Sequence, residues 1–109
     1  MSDIELLYNA KKYLENNIEK LGIKLKILIY SKRIDSDYIL PFMRIEICEI
    51  INEYGMRFEA LMRSTFNSKI FVSYDYNYEH MNMQLNKTMF YEIYPSEIIY
   101  LLRVIDYII

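Results

Sequence analysis

A run of alternating side chains over residues 69–79 is the feature that most constrains this fold. Ten of its positions divide into an apolar and aromatic set and a mainly polar set. The first set is Ile70, Val72, Tyr74, Tyr76 and Tyr78, and the second is Phe71, Ser73, Asp75, Asn77 and Glu79. A period of two over this length is typical of a β-strand with two different faces. Because one strand alone cannot satisfy its backbone hydrogen bonds, the chain must contain a sheet.

Three other segments predict the partners of this strand. Residues 23–30 alternate lysine with aliphatic residues and then become apolar on both faces, which favours a strand that enters the core. Residues 56–60 also alternate, and residues 65–68 resemble a turn, so we expect an antiparallel hairpin between 56–60 and 69–79. Residues 81–86 alternate as well and indicate another strand or an extended loop.

Helices are predicted at both ends of the chain. Ser2 and Glu5 have the spacing of a capping box, apolar residues then recur every three or four positions, and Gly22 follows as a C-terminal cap. These signals predict a helix over residues 3–21. Pro95, at the head of Pro-Ser-Glu, begins a second amphipathic helix with a buried stripe. The stripe consists of Ile98, Leu101, Leu102, Ile105 and Ile109.

Residues 42–54 fit two interpretations. Pro41 is tolerated as a first helical residue and Gly55 is a natural stop, and a helical wheel collects Glu46, Glu49 and Glu53 on one side. The same stretch also alternates with a period of two and is rich in β-branched isoleucine, which favours a strand. We favour the helix. The predicted class is therefore α+β: one domain, residues 1–109, with an antiparallel sheet of three to five strands covered by an N-terminal, a central and a C-terminal helix.

Composition excludes most kinds of catalytic site. One Cys and one His cannot form a zinc site or a disulfide framework, and two Gly cannot form a phosphate-binding loop. General acid–base chemistry would fall first to His80, the one side chain that titrates near neutral pH at its unperturbed value. Cys48 is expected to be a buried and inert thiol. We therefore predict a protein that is not an enzyme and that needs no cofactor and no metal.

The charge and hydropathy patterns limit location and partners. The chain starts directly with an amphipathic helix, and its longest apolar stretch, 98–109, is too short for a membrane span, so we expect a cytoplasmic protein without membrane contact. The formal charge is −2, and glutamates balance the lysines of the first third. Most of the twelve tyrosines are expected to be directed toward the core. Direct nucleic-acid binding is therefore not expected.

One strand face suits a cationic protein. Asp75, Asn77 and Glu79 form a row of acceptors in the 69–79 strand, and Tyr76 and Tyr78 alternate with them. Such a row accelerates association with a basic partner, and tyrosines contribute much of the binding energy at interfaces. The residues Glu46, Glu49 and Glu53 would form a second acidic face on the favoured central helix. These eight residues are the predicted partner-binding site.

The segment 69–79 resembles the YezG-like immunity proteins of polymorphic toxin systems, which carry a late strand of the Phe-x-Val/Ile-x-Tyr-x-Tyr-acid type. The predicted order of helices and strands is similar too, and about a third of the chain matches. The chain departs from the family in having no Trp and in having Ile98 where an Arg is usual. The resemblance implies an immunity protein that accompanies a secreted nuclease toxin.

Together these observations predict an immunity protein or antitoxin that binds a cationic toxin or nuclease domain and occludes its active site, as in contact-dependent inhibition. Two alternatives stay open. One is a phage-encoded inhibitor of a bacterial defence complex, of the anti-CRISPR type. The other is a structural subunit of a homo-oligomer, suggested by the apolar C-terminus and the seven methionines. A monomer or a small homo-oligomer is expected.

Overall fold

The computed structural model describes residues 2–67, 70–79 and 82–109, and for 73–79 and 82–87 it describes the backbone alone. Helices α1 and α2 precede two strands, helix α3 follows them, and two more strands precede a 3-10 turn and helix α4. The bounds are α1 Asp3–Asn16, α2 Ile18–Leu21, β1 Ile23–Arg33, β2 Ile39–Ile50, α3 Glu53–Thr65, β3 Ile70–Glu79, β4 Asn82–Ile93, the 3-10 turn Pro95–Glu97 and α4 Ile98–Ile108.

The strands form one antiparallel sheet in the order β1-β2-β4-β3. The predicted α+β class is therefore confirmed. A single apolar cluster joins the helices to one face of the sheet. Its fully buried members include Leu7 and Leu14 of α1, Phe58 and Met62 of α3, Leu101 and Ile105 of α4, and Ile23, Met43, Ile45 and Ile93 of the sheet.

The N-terminal helix begins where the sequence predicts, but it is interrupted. Ser2 caps α1 by accepting a hydrogen bond from the Glu5 amide at 3.3 Å. The helix ends at Asn16, and the remaining predicted turn is the separate four-residue helix α2. Gly22 closes α2 in the left-handed conformation at φ 63°, as its place after the last apolar residue predicts.

The favoured helix over residues 42–54 is wrong. Residues 39–50 form β2, and Pro41 lies within that strand opposite Ser31. Met43 and Ile45 are fully buried while Arg44 between them belongs to the other face. The strand prevails because pairing with β1 and β4 satisfies its backbone and places the β-branched isoleucines on a pleated surface.

The predicted strand over residues 56–60 is wrong as well, because this segment lies in α3. The side-chain oxygen of Asn52 caps the helix by accepting hydrogen bonds from the Tyr54 and Gly55 amides at 3.0 and 3.4 Å. Gly55 therefore lies in the first turn of a helix and does not end one. The hairpin partner of β3 is β4, which shows that the alternation after residue 81 is a strand.

Both glycines of the chain meet where α2 ends and α3 begins. The carbonyl oxygen of Gly22 accepts a hydrogen bond from the Ile51 amide at 2.9 Å. A β-carbon added to Gly55 would collide with that same carbonyl, and one added to Gly22 would collide with the Asn52 side chain. Glycine at both positions is what allows the two helix ends to approach so closely.

Candidate binding surface

The sheet carries aromatic side chains on the face opposite the helices, called here the open face. Strand alternation directs Ile45 and Tyr91 toward the helices and Arg44 and Phe90 to the open face. Phe42 and Phe90 are only 8% and 6% exposed, yet neither belongs to the main core cluster. They are therefore buried by neighbours on the open face itself.

Those neighbours form a compact group that we call the Arg44 cluster: Tyr30, Phe42, Arg44, Phe90 and Tyr94. The ring of Phe42 stacks on Tyr30 with centroids 5.8 Å apart and packs against Tyr94 at 5.5 Å. The guanidinium carbon of Arg44 lies 3.7 Å from the Phe90 ring centre and 5.1 Å from that of Tyr30. Two aromatic rings thus hold one cation through cation–π contacts.

Arg44 makes no ion pair with any side chain that the structure describes. Its Nε is buried and has no hydrogen-bond partner among the described residues. The residue directly across the ladder, Glu92, instead accepts a hydrogen bond from the Tyr94 hydroxyl at 3.4 Å. Burial, and then the Glu92 carboxylate, raise the pKa of Tyr94, so that hydroxyl keeps its proton at neutral pH.

The second surface is a two-stranded extension of the sheet, called here the hairpin arm: residues 72–79 paired with 82–89. β2 pairs with β4 over Phe90–Ile93, and beyond Phe90 the described parts of β3 and β4 pair with each other alone, as far as Glu79 and Asn82. At the base of the arm the cross-strand pair Val72 and Met89 is 42% and 46% exposed. The helical layer therefore ends where the arm begins.

The overall dimensions agree with a projecting arm. The Cα radius of gyration is 15.5 Å, whereas a compact chain of this length is expected to have about 13 Å. The seven steps along the strand from Val72 to Glu79 extend it by roughly 23 Å.

The five predicted strand residues of the site all lie in the hairpin arm. Asp75, Asn77 and Glu79 pair in the ladder with Asn86, Gln84 and Asn82. Tyr76 and Tyr78 pair with Leu85 and Met83. The side chains of these five residues lie outside the described part of the structure, so their arrangement as an acidic row stays a prediction. His80 lies outside it altogether.

The second predicted acidic face is wrong, because Glu46, Glu49 and Glu53 do not share a helix. Glu46 and Glu49 belong to β2 and Glu53 to the first turn of α3. Glu49 forms an ion pair with Lys24 at 3.2 Å, and Glu46 lies across the ladder from Lys26. The sheet thus places a lysine opposite each of the two strand carboxylates. These lysines partly neutralise Glu46 and Glu49 and so weaken the attraction of the two carboxylates for a cationic partner.

Cys48 is exposed, contrary to the expectation of a buried thiol. The register of β1 and β2 shifts between Lys24 and Leu25, which pair with Glu49 and Ile47, so Cys48 is the extra residue of a β-bulge. A bulge leaves one residue out of regular pairing and bends the strand, and the side chain of this residue is exposed.

An exposed thiol predicts rapid labelling. Native protein should react with 5,5′-dithiobis(2-nitrobenzoate) to about one thiol per chain, at a rate within about tenfold of that of the protein unfolded in guanidinium chloride. A Cys48→Ser variant serves as the blank. Release of thionitrobenzoate only after unfolding would contradict the exposed bulge.

Most of the tyrosines whose side chains are described are not directed to the core, which corrects a further expectation. Tyr91 is buried at 6% exposure, whereas six others are at least 40% exposed. These six are Tyr8, Tyr30, Tyr38, Tyr54, Tyr100 and Tyr107. Surface tyrosine is thus a general property of this chain and does not by itself mark the site.

An open cleft of about 830 Å³ adjoins the Arg44 cluster at Tyr94. It lies between the start of α1, the loop before β2 and the 3-10 turn, and Asp3 and Glu97 contribute carboxylates to its lining. Glu97 is engaged in the local fold, because its Oε1 accepts a hydrogen bond from the Tyr94 amide at 3.0 Å. A carboxylate used as a cap is poorly suited to proton transfer.

The described side chains include no group of three or more His, Cys, Asp and Glu residues placed to hold a metal ion. Each helix of the described ranges lacks the combination of length and apolar character that crossing a membrane requires. Comparison of the chain with models of known families, with curated proteins and with solved structures finds no match.

Sequence reasoning identified β3, left residues 81–86 open between a strand and an extended loop, and missed the Arg44 cluster. The signal was present in the alternative strand interpretation of residues 42–54, which alternates Met43 and Ile45 with Arg44 and Glu46. What the sequence could not supply was the pairing of β2 with both β1 and β4, which brings Tyr30 and Phe90 to opposite sides of Arg44.

Proposed function

We propose that this protein binds a cationic toxin domain, such as a nuclease, in the cytoplasm and neutralises it without chemistry of its own, as an immunity protein does. The observation that supports the proposal is the hairpin arm. It carries Asp75, Tyr76, Asn77, Tyr78 and Glu79 on a ribbon that continues past the last strand pairing of β2 with β4. An isolated two-stranded ribbon contributes little to a core, so a binding role explains its length better than a structural one.

The composition of the arm suits protein recognition. It is rich in Tyr, Asn and Met, which provide ring area, adaptable hydrogen bonding and flexible apolar contact. At its base Phe71 and Val72, on opposite faces, are both about two-fifths exposed, so both faces of the ribbon are accessible there. A partner can therefore enclose the arm.

Inhibition follows from shape and charge. A nuclease binds phosphates through a basic cleft, because neutralising the phosphate backbone supplies much of its affinity. A ribbon that extends roughly 23 Å is long enough to enter such a cleft. Asp75 and Glu79 would then pair with cations that otherwise hold phosphates, and the occupied cleft excludes the substrate.

Charge reversal on the arm is the test. The double variant Asp75→Lys/Glu79→Lys should weaken binding to any purified cationic toxin domain that a neighbouring gene encodes at least tenfold, about 1.4 kcal/mol. Isothermal titration calorimetry measures the dissociation constant, and co-expression measures protection of growth. The far-ultraviolet circular dichroism spectrum should match that of the wild type.

A matched control changes charge equally at another place. Glu19 and Asp37 are exposed and lie in α2 and in the β1–β2 loop, and Glu19→Lys/Asp37→Lys should leave affinity within about threefold. Equal losses of affinity in the two variants would mean that only the net charge of the protein matters, and not the position of the charges. An unchanged dissociation constant in the arm variant would reject the arm as the binding element, and failure to bind any neighbouring toxin would reject the toxin as target.

A further inference from the structure

The geometry points to a second binding site on the open face, in which Arg44 receives a carboxylate side chain from a protein surface. This inference does not depend on the hairpin arm or on the proposed function, because it concerns the centre of the sheet. Arg44 lies in β2, between β1 and β4, where three strands position its neighbours.

The Arg44 side chain is held for binding before any ligand arrives. The ring centres of Phe90 and Tyr30 lie 3.7 and 5.1 Å from its guanidinium carbon, and the two rings restrict its orientation. Phe71 of the neighbouring strand β3 stacks on Phe90 with ring centroids 5.9 Å apart and so helps to fix the position of the Phe90 ring. A preorganised guanidinium loses less conformational freedom on binding than a free arginine does.

Among the described side chains, the hydrogen-bonding capacity of Arg44 is not fully used. A guanidinium has five N–H donors, and rings engage its faces but not its edge. Nε is buried without a partner in the described part of the chain, and Arg44 as a whole is half-buried. The terminal Nη groups are the donors left for a ligand. Two parallel N–H groups match the two oxygens of a carboxylate.

The surrounding charges favour a protein over a nucleic acid as the source of that anion. Glu92 lies directly across the ladder from Arg44, and Glu46 lies two residues along β2. A phosphate backbone would place repeated negative charges against these two carboxylates. A protein surface that presents an acidic side chain beside a basic one satisfies Arg44 and Glu92 together.

The test uses defined probes at constant ionic strength. Protein labelled with ¹⁵N-arginine is titrated with the peptide acetyl-Asp-Gly-Lys-amide, with inorganic phosphate and with the single-stranded oligonucleotide dT8, and the side-chain resonance of Arg44 is followed by NMR. The peptide should give a saturable shift with an apparent dissociation constant at least threefold lower than that of phosphate. Arg44→Gln should abolish the peptide-induced shifts of the open-face amides.

Two variants separate charge from geometry. Arg44→Lys keeps the charge but lacks the planar fork, so it should weaken peptide binding at least threefold. Arg57, whose guanidinium lies 6.0 Å from the Tyr54 ring on α3, is the matched stacked arginine away from the open face, and Arg57→Gln should leave binding unchanged. Peptide shifts that persist in Arg44→Gln, or dT8 binding as tight as peptide binding, would overturn the inference.

Discussion

Replacing Phe58 by Ala should lower the free energy of unfolding by about 3–5 kcal/mol. Phe58 is fully buried, lies in α3 and belongs to the cluster that joins the helices to the sheet. Its removal loses the apolar burial of a ring and leaves a cavity that the surrounding side chains fill only in part. This is a large part of the stability of a small domain, which is commonly about 5–15 kcal/mol.

Urea denaturation followed by circular dichroism measures the loss, and Phe71→Ala is the matched control. Phe71 is the same residue type, but it is 40% exposed on an edge strand, so its truncation should cost no more than about 1.5 kcal/mol. If Phe58→Ala does not fold, Phe58→Leu keeps most of the volume and should still show a measurable loss. Equal losses at Phe58 and Phe71 would contradict the packing of α3 on the sheet.

Replacing Gly55 by Ala should destabilise the protein by about 1–3 kcal/mol, although alanine ordinarily stabilises a helix relative to glycine. The new β-carbon would collide with the Gly22 carbonyl oxygen, which already accepts the Ile51 amide hydrogen bond at 2.9 Å. Because this oxygen is part of the backbone, it can move away only if the end of α2 separates from the start of α3. The substitution therefore strains the junction between the two helices.

Thermal unfolding measures this effect, with each kcal/mol lowering the Tm by roughly 4–8 °C. Met56→Ala is the neighbouring control, because Met56 is 63% exposed and its truncation should change stability by no more than about 0.5 kcal/mol. Gly22→Ala should also destabilise, since Gly22 has φ 63°. A stabilised Gly55→Ala variant would show that the close approach of the glycines does not exist.

The site was predictable only in part. Asp75, Tyr76, Asn77, Tyr78 and Glu79 lie in a strand, as their alternation predicts, because all five are contiguous. That this strand projects beyond the sheet depends on where β2 stops pairing with β4, and no local pattern contains that information. The Arg44 cluster combines residues from three separate segments and was missed for the same reason.

The sequence by itself determined the ends of the molecule and the class of fold. Capping by Ser2 and the left-handed stop at Gly22 are local signals that residues within a few positions satisfy, and the alternation of β3 is contained in the strand itself. Only the tertiary structure decided the middle, where residues 42–54 fit both a period of 3.6 and a period of two. Pairing with β1 and β4 settled it, because a strand buries Met43 and Ile45 against the helices and satisfies its backbone on both sides.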